Sequence, residues 1–310
     1  MSLTIGNKQL ATNNIKEKIY GLTNILVNAE KLVLRRCATT FGTVICVFGK
    51  SIRLERIVDR NTGNCVVVPM DHGISIGPTE GLFDMKKTVD DVANGGATAV
   101  LMHKGLIRYS HRTSGHDIGL ILHLSASTDL GVTSNSKVLV ATVEEALKIG
   151  ADAVSVHINV GAETEPEMLS DLGNISKECN EWGMPLLVMA YARGPKIQNS
   201  YDAHAVAHAA RVASELGADI VKCSYTGDIE TFEDVVRGAL APVVIAGGPK
   251  MSSDLEILQM VYDSIQAGGH GVSIGRNVFQ HRNVEGMTKA ISDIVLRGYD
   301  VKEAMKENLQ

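Results

Sequence analysis

Eight short apolar runs recur between residues 65 and 277, and amphipathic stretches separate most of them. The runs are nearly continuous in hydrophobic residues, which is typical of parallel strands that are covered on both faces. Strands are therefore predicted over CVVVPMD (65–71), AVLMHK (99–104), LILHLS (120–125), AVSVHIN (153–159), PLLVMAY (185–191), IVKCSY (220–225), PVVIAGG (242–248) and GVSIGRN (271–277).

Glycine marks the passage from an amphipathic stretch into the next apolar run at four places. Glycine just past a helix supplies a left-handed cap, and the apolar residues after it begin a strand. Two helices are predicted to open with capping boxes, Thr142 with Glu145 and Ser253 with Glu256. The glycine pattern occurs in GGATAV (95–100), GADAV (150–154), GADIV (217–221) and GGHGV (268–272).

A repeated strand and helix unit accounts for most of the chain. Eight such units predict an α/β fold of the (β/α)8 TIM-barrel type over residues 48–310, in preference to a doubly wound sheet. The weakest link is GLIRYSHRTSGHDIG (105–119), which is too polar and too short for a good helix. Residues 1–47 lie outside the count and are predicted as an N-terminal helical extension.

The evidence for that extension is a helical period within residues 13–36. The simplest interpretation is an added helix that packs on the barrel or on a neighbouring subunit. The apolar positions of the period are Ile15, Ile19, Leu22, Leu26, Ala29 and Val33.

The composition narrows the class of protein. Of the 310 residues, 45% are hydrophobic and 21% are charged, so the chain can bury a sizeable core. The net charge of -5 argues against nucleic acid as a partner, and no apolar run is long enough for a membrane helix. The cysteines form no C-x-x-C pair, which favours reduced thiols and a cytoplasmic protein. They are Cys37, Cys46, Cys65, Cys179 and Cys223.

A lysine interrupts the sixth apolar run, and it is the main candidate for chemistry. Alternation along this strand puts Ile220, Lys222 and Ser224 on one face. Burial disfavours the ammonium form, and a neutral amine that points into the barrel can form a Schiff base with a bound carbonyl. The alternative is a lysine that reaches the barrel mouth or pairs with a carboxylate such as Asp71.

Two further strand ends carry groups that move protons. Tyr191 ends the fifth run and is a candidate proton donor, and Asp71 ends the first run and is a candidate acid or base for a substrate hydroxyl. Structural roles compete with both assignments. Tyr191 can be a packed aromatic residue, and Asp71 can be a turn or helix cap.

The last two strands end in glycines at the place where barrels commonly hold phosphate. Gly247 and Gly248 follow the seventh strand, and Gly275 and Arg276 follow the eighth. Glycine lets backbone N–H groups approach a phosphate, and arginine adds a bidentate donor. A phosphorylated substrate is predicted over plain tight turns, and Lys250 is expected to add charge at the rim.

Three histidines near strand ends offer a rival interpretation. His103, His123 and His157 can converge as a metal site, although no i, i+4 pair of histidines on those strands fixes their geometry. Positioning of substrate hydroxyls or core hydrogen bonds is the preferred role, and no metal or other cofactor is expected. A barrel without chemistry, acting as a binding module, is a further alternative.

Five motifs together resemble the archaeal class I aldolase family over about residues 50–308: PMDHG, VMAYARGPK, IVKCSYTGD, VVIAGGPK and GVSIGRNVFQ. The resemblance implies that Lys222 is the Schiff-base lysine, Tyr191 the proton donor and Asp71 the general base. It implies a sugar site lined by Asp71, His72, Gly73, Ile74, Ser75, Tyr191, Ala192 and Arg193. It implies that Gly247, Gly248, Gly275 and Arg276 bind the phosphate.

The resemblance also implies an activity. A transaldolase of aromatic amino acid biosynthesis is expected, with a phosphorylated keto sugar and L-aspartate semialdehyde as substrates. The second candidate is a fructose-bisphosphate aldolase, whose two phosphates would need a further basic cluster. The residues considered for that cluster are Lys104, Arg108, Arg193 and Lys196. A homo-oligomer, a decamer in this family, is expected, with neither nucleic acid nor membrane as partner.

Overall fold

The computed structural model describes residues 41–110, 112 and 115–309, with side chains from residue 48 onward. Residues 49–310 belong to one compact unit. The helix predicted within residues 13–36 lies outside the described residues and stays a prediction. Within the part of the chain that is described, no helix is both long and apolar enough to cross a membrane.

Eight parallel strands close into a barrel, and each of them overlaps one of the eight predicted runs. Around the barrel they follow the order β1-β2-β3-β6-β7-β8-β9-β10, and β10 pairs with β1 to close it. The predicted TIM barrel is confirmed. The strands are β1 (Cys65–Pro69), β2 (Ala99–Met102), β3 (Gly119–His123), β6 (Ala153–Val160), β7 (Leu186–Ala192), β8 (Ile220–Ser224), β9 (Val243–Ala246) and β10 (Gly271–Ser273).

Helices separate the strands, and the described residues of the polar stretch between β2 and β3 form one short helix, as the composition of the stretch predicted. A two-stranded hairpin between β3 and β6 was not predicted; its strands are β4 (Ser125–Ala126) and β5 (Val138–Leu139). The helices are α1 (Phe41–Leu54), α2 (His72–Ile76), α3 (Met85–Asn94), α4 (Ile107–Ser110), α5 (Val143–Ile149), α6 (Glu165–Trp182), α7 (Ala203–Glu215), α8 (Ile229–Ala239), α9 (Asp254–Gln266), α10 (Arg276–Phe279), α11 (Val284–Arg297) and α12 (Val301–Asn308).

The helix caps agree with the sequence in all but one case. Thr142 and Glu145 form the predicted capping box at the start of α5. Ser253 is the residue before α9, but its side chain makes no capping hydrogen bond, so the second predicted box is wrong. Each of the four glycine motifs supplies one left-handed residue, at Gly96, Gly150, Gly217 and Gly268.

The barrel interior and the layer between barrel and helices form two separate hydrophobic clusters. Alternate residues of each strand point inward, so the interior cluster contains Val67, Leu101, Ile121, Leu187 and Val244 among others. Because every strand is parallel, all eight carboxyl ends meet at one end of the barrel. The side chains that continue the inward rows past this cluster therefore converge there.

Candidate active site

A cavity of about 390 Å³ opens at the carboxyl end of the barrel. A more open cleft of about 830 Å³ lies outside the barrel, but its wall lacks the convergent buried ionisable groups that mark a site. Most of the predicted site residues line the barrel cavity: Asp71, His72, Ile74, Ser75, Tyr191, Arg193, Lys222, Gly247, Gly248, Gly275 and Arg276.

Two predicted substrate-binding residues do not line the cavity. Alternation along β7 turns Tyr191 inward, so the neighbouring Ala192 faces the other way and is buried. Gly73 lies in α2 and is exposed beside the cavity wall. A contiguous motif cannot present every one of its residues to one side, and the assignment of Gly73 and Ala192 to the sugar site stays a prediction.

Lys222 lies in the middle of β8, between Met189 of β7 and Val244 of β9. Both neighbours belong to the inward-facing rows, so the lysine side chain rises inside the barrel, where only 6% of it is exposed. Burial lowers the pKa of its ammonium from 10.5 to about 8, although the nearby Asp71 carboxylate opposes the change. Lys222 is therefore partly a neutral amine near neutral pH.

Asp71 lies at the end of β1 and faces two histidines. Its carboxylate oxygens are 3.5 Å from His72 Nδ1 and 3.7 Å from His123 Nε2. Burial raises the pKa of Asp71, but electrostatic interactions with His123, His72 and Lys222 oppose it and lower the pKa to about 2. Asp71 is consequently a carboxylate near neutral pH and can accept a proton from a substrate hydroxyl.

Tyr191 faces the cavity from β7, and its ring lies 5.1 Å from the ring of His157. The guanidinium of Arg193 lies over the Tyr191 ring, 4.4 Å from its centroid. Burial raises the pKa of the phenol above its usual value. Tyr191 therefore keeps its proton near neutral pH and can act as a donor.

The glycine pair after β9 and the Gly275–Arg276 pair after β10 form the far wall of the cavity, which we call the glycine cradle. A Cβ added to Gly247 would lie 2.6 Å from the Ile274 side chain, so this position needs glycine. Arg276 Nη2 donates to the Gly248 carbonyl at 3.0 Å. Lys250 instead donates to the Gln280 carbonyl at 2.9 Å and does not line the cavity, which corrects the expectation of rim charge.

Three buried polar atoms on this wall have no hydrogen-bond partner within the described residues. They are the Oγ of Ser273, the Nε of Arg276 and the Nδ1 of His72, and all three residues line the cavity. Buried polar atoms are normally paired, so their convergence indicates a polar ligand. Ser273 was missed in the sequence, although it occupies an inward position of β10.

Two of the three strand-end histidines make side-chain hydrogen bonds. His123 Nδ1 lies 2.8 Å from Ser155 Oγ, and His157 Nε2 lies 3.0 Å from Asn159 Oδ1. Burial lowers the pKa of His123 to about 3, so its ring is neutral near neutral pH. Across the described residues, no group of three or more His, Cys, Asp or Glu side chains is arranged to hold a metal ion.

The loop of the β4–β5 hairpin supplies cavity residues that the sequence did not indicate. Ser127, Asp129, Asn135 and Lys137 line the cavity from this loop. The only sequence signal was a lysine directly before a short apolar run, which is common on protein surfaces. The loop reaches the site because the Asp129 N–H donates to the Ser75 carbonyl at 2.9 Å.

Comparison with known proteins agrees with this site. The model of the DeoC/LacD family aldolases matches residues 65–281, from the start of β1 to just beyond α10. The chain belongs to the DeoC/LacD aldolase family. It is therefore an enzyme of the aldolase type, and the alternative of a barrel without chemistry is set aside.

Named relatives in this family are synthases of seven-carbon amino acids. A Halobacterium salinarum protein, 2-amino-3,7-dideoxy-D-threo-hept-6-ulosonate synthase, is 44% identical over 257 residues, covering 83% of this chain and 95% of the relative. A Streptomyces griseus protein, 2-amino-4,5-dihydroxy-6-oxo-7-(phosphonooxy)heptanoate synthase, is 39% identical over 248 residues, covering 80% of this chain and 90% of the relative.

Among solved structures, a Schiff-base-forming fructose-1,6-bisphosphate aldolase superposes with a TM-score of 0.74 at 32% identity. The alignment covers 79% of this chain and 99% of that one. The chain is thus similar both to proteins named as synthases and to a solved fructose-1,6-bisphosphate aldolase.

Proposed function

We propose that this DeoC/LacD aldolase is a Schiff-base transaldolase, a 2-amino-3,7-dideoxy-D-threo-hept-6-ulosonate synthase. It transfers a hydroxyacetone unit from 6-deoxy-5-ketofructose 1-phosphate to L-aspartate semialdehyde, in a route to 3-dehydroquinate and the aromatic amino acids. The observation that carries the proposal is the buried Lys222 amine, which shares one cavity with Asp71 and Tyr191. Identity of 44% to a relative with this name supports the choice of substrates.

The names of the two relatives' products support aspartate semialdehyde as the acceptor. Both products are seven-carbon 2-amino acids with a ketone at carbon 6 and oxygen at carbon 4. An aldol reaction joins the carbon next to the ketone to the carbon that becomes the hydroxyl, which here means carbons 5 and 4. Carbons 1 to 4 therefore derive from an amino acid aldehyde, aspartate semialdehyde.

In the first half of the proposed reaction, the neutral Lys222 amine adds to the substrate ketone, and loss of water leaves a protonated imine. The Asp71 carboxylate takes the proton of the hydroxyl at the bond to be broken. As that carbon–carbon bond breaks, its electron pair forms the enamine on Lys222, and hydroxypyruvaldehyde phosphate leaves as an aldehyde. We assign the phosphate to the glycine cradle, together with Ser273 and Arg276.

In the second half, the enamine carbon attacks the aldehyde of L-aspartate semialdehyde. The new alkoxide takes the proton held by Asp71, and water hydrolyses the imine to free Lys222. Tyr191 donates a proton where the carbinolamine hydroxyl leaves as water, and it can also protonate the enamine when no acceptor is bound. The neutral rings of His103 and His123 are placed to hydrogen-bond substrate hydroxyls beside Asp71.

Fructose-bisphosphate aldolase activity is the second candidate, favoured by the structural similarity at 32% identity. A bisphosphate needs a second cationic site in addition to the glycine cradle. Of the four basic residues considered for it, Arg193 alone lines the cavity, and Lys104 pairs with Glu145 outside it at 2.9 Å. Lys137 was not among those four residues, but it also lines the cavity, so the cavity has a second cation besides Arg193 on that side.

Borohydride reduction in the presence of the keto sugar phosphate tests the imine. A mass adduct on Lys222 is expected, and its absence would refute the Schiff-base mechanism. Turnover of fructose 1,6-bisphosphate should then be compared with turnover of 6-deoxy-5-ketofructose 1-phosphate plus L-aspartate semialdehyde. Faster turnover of the bisphosphate would reject the synthase in favour of the aldolase. We also propose a homo-oligomer, a decamer by family resemblance, which light scattering can measure.

A further inference from the structure

The cavity has a second charged wall, which lies across β8 from the glycine cradle. Lys137, at the end of the β4–β5 loop, is half-buried and donates a hydrogen bond to the Ser127 hydroxyl. Arg193, just beyond β7, lines the same wall and stacks on Tyr191. Within the described residues, the Lys137 ammonium has no carboxylate in direct contact, so a cation without an ion-pair partner faces the cavity.

Negative charge stands beside these cations. Asp129 lines the cavity from the same loop. Burial lowers the pKa of the Lys137 ammonium, and the neighbouring Arg193 lowers it further, while Asp129 acts in the opposite direction. A ligand that brings a carboxylate to Lys137 and Arg193 would relieve the repulsion between these two cations.

The loop that carries these charges is tied to the site by hydrogen bonds. Asp129 N–H donates to the Ser75 carbonyl at 2.9 Å, and Ser75 Oγ donates to the Ser127 carbonyl at 3.3 Å. At the base of the loop, Asn159 Nδ2 donates to the Asn135 carbonyl at 2.7 Å. Contacts at both ends hold Lys137 and Asp129 in fixed places beside the cavity.

The two walls suit different ligands. The glycine cradle offers backbone N–H groups and Arg276, which match a phosphate. The loop wall combines two cations with a carboxylate, and Asp129 would repel a phosphate dianion. An α-amino acid carries a carboxylate and an ammonium group on one carbon, so its head group complements a wall with both charges.

We infer that Lys137 and Arg193 bind the carboxylate of an amino acid aldehyde, and that Asp129 binds its ammonium group. This inference rests on the proposed transaldolase function and adds the residues that select the acceptor. With its head group held on this wall, the four-carbon aldehyde extends towards the enamine on Lys222. The wall therefore selects an amino acid acceptor over an uncharged aldehyde.

Two measurements on Lys137→Met test the inference. The first is steady-state kinetics with L-aspartate semialdehyde, and the second is borohydride trapping of the keto sugar phosphate, the donor substrate, on Lys222 without the acceptor. The KM for L-aspartate semialdehyde should rise about 10- to 100-fold, because the variant loses one charge-assisted hydrogen bond to the acceptor carboxylate. Trapping of the donor on Lys222 should be unchanged. Lys137→Arg should recover most of the affinity, and Lys196→Met, an exposed lysine outside the cavity, is the matched control.

Asp129→Asn distinguishes binding of the acceptor's ammonium group from binding of its carboxylate. Its KM for L-aspartate semialdehyde should rise about 10-fold, because the charged partner of the ammonium group is lost. The KM for 4-oxobutanoate, which keeps the carboxylate and lacks the amine, should not rise. An equal loss with both aldehydes would overturn the assignment of Asp129.

An unchanged acceptor KM in Lys137→Met, with normal donor trapping, would overturn the inference and leave the proposed function standing. Loss of donor trapping in Lys137→Met would place the keto sugar phosphate on the loop wall and also overturn it. Failure of the unmodified protein to form the Lys222 adduct would instead refute the proposed function, and the acceptor assignment would fall with it.

Discussion

Replacing Lys222 with methionine should stabilise the folded protein near neutral pH while it abolishes imine formation. The lysine is buried inside the barrel, where burial lowers its pKa from 10.5 to about 8. This shift measures the free-energy cost of keeping the ammonium charged inside the barrel. That difference corresponds to about 3 kcal/mol at a pH where the ammonium is fully protonated in both states. Methionine fills a similar volume and carries no charge.

The stability difference between the variant and the unmodified protein should change with pH in a definite direction. Because the folded pKa is below the unfolded pKa, the unfolded chain binds more protons between pH 8 and pH 10.5. The unmodified protein therefore gains stability as pH rises through this window. The advantage of Lys222→Met should be about 3 kcal/mol below pH 8 and should disappear as pH approaches 10.5.

Urea unfolding at matched protein concentration across this pH range measures the effect. Lys196→Met, which removes an exposed lysine outside the cavity, should leave the unfolding midpoint unchanged at each pH. A Lys222→Met variant that is less stable than the unmodified protein near neutral pH would refute the reasoning. A gain that does not change with pH would show that better packing, rather than removal of a buried charge, is the cause.

Three further predictions concern the same site. The rate of donor trapping on Lys222 should rise about tenfold per pH unit up to a pH of about 8 and then level off; a flat profile below pH 8 would contradict this. Tyr191→Phe should slow the release of free ketone from the enamine by about 100-fold, while borohydride should still trap the imine on Lys222. Analysis of the products formed without acceptor measures this release. Gly247→Ala, whose Cβ would lie 2.6 Å from Ile274, should cost about 1–3 kcal/mol of unfolding free energy. As a matched control outside the site, Gly173→Ala in α6, where a Cβ meets nothing within 4 Å, should instead gain about 0.5–1 kcal/mol of unfolding free energy.

The barrel was predictable because its signals are local. Most strands are nearly continuous apolar runs, and the glycines of the four helix-to-strand motifs do adopt left-handed conformations. Period-two alternation predicted that Lys222 shares a face with Ile220, and the parallel arrangement implied that the ends of different strands meet. The Ser253 cap shows where a local signal fails, because the right residue type stands there without its hydrogen bond.

The loop wall was not predictable in the same way. Lys137 and Asp129 carry no periodic signal, and they reach the cavity because the loop is bound to residues distant in the chain, such as Ser75. Lys104 and Lys250 had equally plausible positions in the sequence, yet they bond to Glu145 and Gln280 away from the cavity.

The amino-acid sequence by itself determined the barrel, the face that Lys222 shares with Ile220 and the positions of the glycines at the last two strand ends, because backbone periodicity and glycine conformation act over a few residues. Tertiary structure alone turned Lys222 inward and added Lys137 and Asp129 to the charged side chains of the cavity. Strand ends are brought together by closure of the barrel, and the β4–β5 loop is held by hydrogen bonds to distant segments of the chain. Neither leaves a repeating pattern along the chain.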